Sequence, residues 1–70
     1  MNKVLTEALG NWRSLNEKLP EFSEAQVLEM LEWERNHERR LSVLLRLHQR
    51  YNMLRVARER VELMKDGDSL

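Results

Sequence analysis

The pair in this sequence with the spacing of a metal motif is Glu34 and His37. Within Glu34-Arg35-Asn36-His37 the two side chains stand three residues apart, so on a helix they project together, as in carboxylate-bridged di-iron bundles. A dimer would supply two copies, and Glu7 or Glu17 would formally complete a ligand set. The surroundings argue against it. Residues 34–40, Glu-Arg-Asn-His-Glu-Arg-Arg, contain no apolar side chain, whereas such sites lie inside a bundle. Glu34 and His37 are therefore expected to be solvated side chains near a turn, and no metal is assigned.

Acid–base chemistry fares no better. His48 falls at the edge of an apolar helix face, where it would be a half-buried, hydrogen-bonded histidine or a pH-sensitive contact. No nucleophile or partner base stands near it. Glu29, Glu32 and Glu34 read as the wet face of a helix rather than as general acids. The chain has no cysteine, and it has no Gly-rich phosphate loop. The expectation is a protein that is not an enzyme and needs no cofactor.

Charge carries the most information. Residues 1–34 hold three basic against seven acidic residues, a net of −4, while residues 35–65 hold nine basic against three acidic, a net of +6. At roughly 100° per residue Arg39, Arg46, Arg50 and Arg60 fall within about a quarter-turn of one another, with Gln49 close by. Such a stripe can follow a phosphate backbone, which makes nucleic acid one candidate partner. It can equally face the glutamates of the first half, in the same chain or in a second copy. Arginine suits both, because its planar fork matches carboxylate and phosphate alike. Tyr51 is the one ring on this segment, so base stacking is poorly supplied. Of the two tryptophans, Trp12 fits an apolar stripe and is expected in the core. Trp33 lies off the Val27/Leu31 row and is the better candidate for a partner-binding anchor.

These side chains need helices to position them. With 70 residues, two glycines and one proline, the chain is one all-α domain spanning residues 1–65. A first helix is expected over about 3–18, its apolar stripe of Val4, Leu5, Ala8, Leu9, Trp12, Leu15 and Leu19 spaced by three and four, capped by Asn2, weakened at Gly10 and ended by Pro20. Ser23-Glu24-Ala25-Gln26 is a capping box, with Phe22 and Val27 as a hydrophobic staple, and it opens a second helix over about 24–35. Residues 36–40 either turn, with Asn36 as a left-handed cap, or continue as exposed helix. A third and longest helix is expected over about 39–65, with Gly67 as its stop and 66–70 as a disordered tail.

The long helix carries two apolar rows, which suggests two neighbours. Leu44, Leu47, Tyr51, Leu54, Arg58 and Val61 follow the alternating steps of a coiled-coil seam. Leu41, Leu45, Val56 and Leu63 form the second row. The expected fold is a short–short–long three-helix hairpin or bundle, completed by dimerisation through the long helix, since a core this small gains from self-association. No signal peptide is visible, and the longest apolar run, Val43-Leu44-Leu45, cannot cross a bilayer, so a cytoplasmic protein away from membranes is expected.

The run from Leu45 to Arg60, Leu-Arg-Leu-His-Gln-Arg-Tyr-Asn-Met-Leu-Arg-Val-Ala-Arg-Glu-Arg, resembles stretches in small helical proteins encoded by tailed bacteriophages. The capped second helix does so more weakly, and together they cover about half the chain. The resemblance carries no functional motif and transfers no site residue. It implies an accessory protein made in the host cytoplasm. The functional expectation is thus an adaptor or inhibitor that binds another protein of host or virus, with nucleic-acid binding as the alternative.

Overall fold

The structure, a computed structural model, describes residues 1–68. They form four helices: α1 (Lys3–Ala8), α2 (Trp12–Lys18), α3 (Glu24–Asn36) and α4 (Leu41–Asp68), with a 3-10 turn over Leu19–Glu21. No strand occurs among the described residues.

The expected first helix is two. Asn2 caps α1 by accepting from the Val4 N–H at 2.7 Å. The helix then stops, because Asn11 offers a second cap: its side chain accepts from the Ser14 N–H at 2.7 Å and opens α2. Gly10 sits in the corner, its N–H bonded to the Glu7 carbonyl at 3.0 Å. A Cβ there would meet that same carbonyl oxygen at 3.0 Å, so the corner favours glycine by space. The break swings Trp12 to the first position of α2 and out of the core, where it is 51% exposed rather than buried as the stripe predicted. Pro20 ends α2, yet Leu19 keeps helical angles (φ −51°, ψ −41°), and the chain makes one 3-10 turn before Phe22 extends.

The capping box of α3 forms as its residues dictate. Ser23 Oγ accepts from the Gln26 N–H at 3.2 Å, and Gln26 Oε1 accepts from the Ser23 N–H at 2.9 Å. Phe22 and Val27 are both buried beside it. The chain turns over residues 37–40. Asn36 is the last residue of α3 and takes no left-handed angles; the positive φ falls on Arg39, at 53°. The Glu34 carbonyl accepts from the N–H groups of both His37 (3.3 Å) and Arg39 (2.9 Å), which closes the turn. α4 then runs through Gly67 to Asp68. One glycine costs a helix only about 1 kcal/mol relative to alanine, too little by itself to stop it. The disordered tail expected at 66–70 is helical to Asp68, and residues 69–70 lie outside those described.

α3 and α4 form an antiparallel hairpin, with Glu24 at the start of α3 bonded to Arg58 far along α4 at 2.8 Å. α1 and α2 cover one end of it. The core is Leu5, Ala8, Leu9, Leu15, Leu19, Phe22, Val27, Met30, Leu31, Val43 and Leu47, with Trp33, Leu44, Tyr51 and Leu54 packed against it. The molecule measures 47 × 19 × 19 Å. Its long axis follows α4, whose 28 residues span about 42 Å at roughly 1.5 Å each. No helix among the described residues is long and apolar enough to cross a membrane.

Candidate functional site

Three places bring chemistry-bearing side chains together: a buried ion pair at the α3–α4 turn, the arginines of α4, and the side of α4 turned away from the bundle.

The ion pair is the strongest electrostatic feature. Glu34 is 0% exposed, although a charged residue in that polar stretch was expected to face water. Its place follows from spacing: Val27, Met30, Leu31 and Glu34 lie on one face of α3 and point into the core together. Arg40 reaches back to it. The Arg40 backbone N–H (2.9 Å) and Nε (3.0 Å) donate to Glu34 Oε2, and Nη2 donates to Oε1 at 2.8 Å. The same Nη2 also donates to the Leu9 carbonyl at 2.9 Å, which ties the end of α1 to the turn. Glu38 adds a second carboxylate to Arg40 at 3.0 Å. Hydrogen bonds from Arg40 hold the Glu34 carboxyl below its ordinary value, outweighing the burial that opposes ionisation. Glu34 in turn shifts Arg40 further towards its charged form.

This pairing occupies the carboxylate that the metal spacing would need. His37 lies outside it, exposed, stacked on Trp33 with ring centroids 4.2 Å apart, and with Nδ1 2.7 Å from the Trp33 carbonyl oxygen. No cluster of three or more His, Asp or Glu residues able to hold a metal occurs among the described residues. Trp33 itself is half-buried against the core and fills space there. The tryptophan left to solvent is Trp12.

The arginine stripe is not assembled as one surface. Arg39 sits in the turn with its Nε bonded to the Arg35 carbonyl at 2.9 Å, so it is off α4. Arg46 is committed to Asn16 of α2 at 2.9 Å and approaches Gln49 at 3.5 Å. Arg50 is half-buried, with an Nε that is enclosed and finds no acceptor among the described residues. Arg60 is exposed, about 21 Å beyond Arg46 at roughly 1.5 Å per residue. The pairing of acidic first half with basic second half does occur inside the chain, through Arg40–Glu34 and Arg58–Glu24. Both Glu24 and Glu62 bond Arg58 and favour its charged form.

The two apolar rows of α4 have different fates. Of the coiled-coil seam, Leu47 is buried and Leu44, Tyr51 and Leu54 are half-buried against the core of the same chain. Arg58 lies on Glu24, and only Val61 extends past the bundle, 50% exposed. The second row faces solvent along its whole length: Leu41 is 69% exposed, Leu45 60%, Val56 47% and Leu63 69%. A groove between α3 and α4 borders its N-terminal end. One part, about 500 Å³, is lined by Glu32, Arg35, Asn36, Arg39 and Leu44. The adjoining part, about 270 Å³, is lined by Leu31, Arg35, Leu44, Leu45 and His48. Arg35 spans both, and sequence reasoning passed over it. Its signal lay in its place one helical turn beyond Leu31, on the rim of the core face.

The larger part of the groove is mostly polar, the smaller part mostly apolar, and the groove opens onto the apolar row at Leu45. No family model matches the chain, and no curated protein or solved structure matches it either.

Proposed function

We propose that this protein is a non-enzymatic helical accessory protein that acts by protein–protein interaction, using the outer face of α4. One observation carries the reading: Leu41, Leu45, Val56 and Leu63 lie in one row and all four are exposed among the described residues. Single exposed apolar residues are ordinary, but four in a row along one helix make a face of the kind that packs on another helix or in a groove. The adjoining groove carries Arg35 and Arg39 against one carboxylate, Glu32, and so favours a partner that brings carboxylates beside its apolar residues. Such a partner would be the host or viral protein of an adaptor or inhibitor, the role that the phage-type resemblance implies.

Nucleic-acid binding has less support, because Arg39, Arg46, Arg50 and Arg60 point to separate tasks. The two readings separate experimentally. Tagged wild-type protein and an L45E/L63E variant are expressed in the cells that make the protein, and the proteins they retain are compared. A partner held by the wild type and lost by the variant, at unchanged helicity, is the expected result. Identical partner sets would refute the use of this face. A mobility shift of duplex or single-stranded DNA that weakens steeply with salt would favour the arginines instead.

A further inference from the structure

We infer that the groove between α3 and α4 docks an acidic amphipathic segment of another protein, with carboxylates on Arg35 and Arg39 and a large apolar side chain on Leu31, Leu44 and Leu45. The inference rests on the interaction reading above and names the chemistry of its partner.

Uncompensated charge is the first argument. The carboxylates that flank these two arginines in sequence, Glu34 and Glu38, are both taken by Arg40. Among the described residues neither Arg35 nor Arg39 makes an ion pair; the cations that do are Lys3, Arg13, Lys18, Arg40, Arg55 and Arg58. Glu32 lines the same part of the groove and leaves it with two positive charges against one negative. Arg39 Nε donates to the Arg35 carbonyl at 2.9 Å, which holds its guanidinium at the end of α3. Arg39 also keeps a φ of 53°, a left-handed conformation that favours glycine. Backbone strain of this kind gathers at binding sites, where the side chain is kept for what it meets.

Shape is the second argument. Arg35 and Leu44 line both the polar and the apolar part of the groove. A carboxylate and an apolar side chain that stand close together in one segment are therefore received side by side. The arginine fork binds a carboxylate through two parallel hydrogen bonds, and Leu31, Leu44 and Leu45 remove the apolar neighbour from water.

The same charges exclude the other occupants. A nucleic-acid strand would bring phosphates past Glu32 and leave the leucines uncovered. A second copy has few carboxylates to offer, because Glu7, Glu17, Glu21, Glu24, Glu59 and Glu62 already lie against cations of their own chain. One apolar side chain and two solvent-exposed charge contacts form a small contact set, so a single segment should bind with a Kd on the order of 0.1–1 mM.

A multivalent display library of random twelve-residue peptides, selected on the full chain, supplies the probe, since avidity retains contacts this weak. Enriched peptides should carry aspartate or glutamate close to leucine, isoleucine, phenylalanine, methionine or tryptophan. The enriched peptide, synthesised and titrated into isotope-labelled protein, should shift the amide signals of Leu31, Arg35, Arg39, Leu44 and Leu45. R35Q/R39Q should weaken it by about tenfold, and E32Q should tighten it by about twofold. R39G should weaken it by about threefold although the turn itself gains stability, an outcome that a purely structural arginine would not give. L63E, outside the groove, should leave binding unchanged. The proposal is overturned by a library that yields no consensus or a basic one, by affinity unchanged in R35Q/R39Q, or by an oligothymidylate that shifts the same amides more tightly than the peptide. If no acidic peptide is retained while L45E/L63E still loses a captured partner, the outer-face reading stands without the groove. If the peptide binds while the captured sets are identical, the groove stands without the outer face.

Discussion

Removing either half of the Glu34–Arg40 pair should destabilise the protein, and removing the arginine should cost more. The two are not equally buried: the Glu34 side chain is 0% exposed and the Arg40 side chain 33%. Breaking a buried pair costs about 3–5 kcal/mol, chiefly because an uncompensated charge is left behind. Glu34→Met leaves Arg40, which still reaches water, Glu38 and the Leu9 carbonyl, so the cost should fall to about 2–3 kcal/mol. Arg40→Met leaves an enclosed carboxylate without the two hydrogen bonds donated by the Arg40 side chain and should incur the full range. The backbone N–H is retained in that variant and offsets part of the loss. For a 70-residue domain the whole stability is roughly 4–10 kcal/mol, so Arg40→Met approaches complete unfolding.

Urea titration followed by far-UV circular dichroism measures this. With a slope of about 1 kcal/mol per molar urea, Glu34→Met should lower the midpoint by about 2–3 M. The double variant E34M/R40M should lie closer to the wild type than R40M does, because no charge remains to be buried. The pH dependence supplies an independent check. The folded carboxyl of Glu34 titrates below its ordinary value of 4.5, so its contribution is full above that value and is lost as pH falls through the folded pKa. Wild type should weaken below about pH 4 by more than E34M does. The reasoning fails if R40M is no more destabilising than E34M, or if E34M costs less than about 0.5 kcal/mol.

Arg39 holds a left-handed φ of 53°, so Arg39→Gly should stabilise the turn by about 1 kcal/mol, a rise of about 4–8 °C in Tm by calorimetry, partly offset by the lost bond to the Arg35 carbonyl. Leu47→Ala should cost about 2–5 kcal/mol in the same denaturation assay, whereas Leu45→Ala on the outer face should cost under about 0.5 kcal/mol for the monomer. Ser23→Ala should remove about 1 kcal/mol by breaking the capping box of α3. Trp12→Ala should leave stability nearly unchanged while removing the more readily quenched part of the tryptophan fluorescence, since Trp12 is the exposed ring.

What could be read from the sequence was local. The capping box at Ser23, the cap at Asn2 and the stop near Pro20 depend on a few neighbouring residues, and they form where those residues stand. Two local signals were outweighed. Asn11 after Gly10 is a stop followed by a start, but it was hidden inside an apolar stripe that continues across the break. Glu34 counted as a wet-face residue because its charge was weighed above its register with Val27 and Leu31. The face of α4 spent on the chain's own core was not legible at all, because both rows have helical spacing. Only the packing of α3 settles that the Leu44–Leu47–Leu54 row lies against the core and the Leu41–Leu63 row does not. The arginine stripe failed for a related reason: angular position on an ideal helix says nothing of a turn at Arg39 or of an acceptor at Asn16.

α4 outruns its neighbour. Past Arg58 none of the described residues of α1–α3 lies alongside it, and every residue from Arg55 to Gly67 is exposed. One continuous helix therefore spans two regimes of local opening. Amides near Leu47 exchange with solvent only when the whole domain unfolds, while those beyond Glu59 exchange by fraying from the end. Trypsin should find Arg60 and Lys65 long before Arg46, trimming the protein to a resistant fragment, and any molecule that grips this free length should slow both exchange and cleavage.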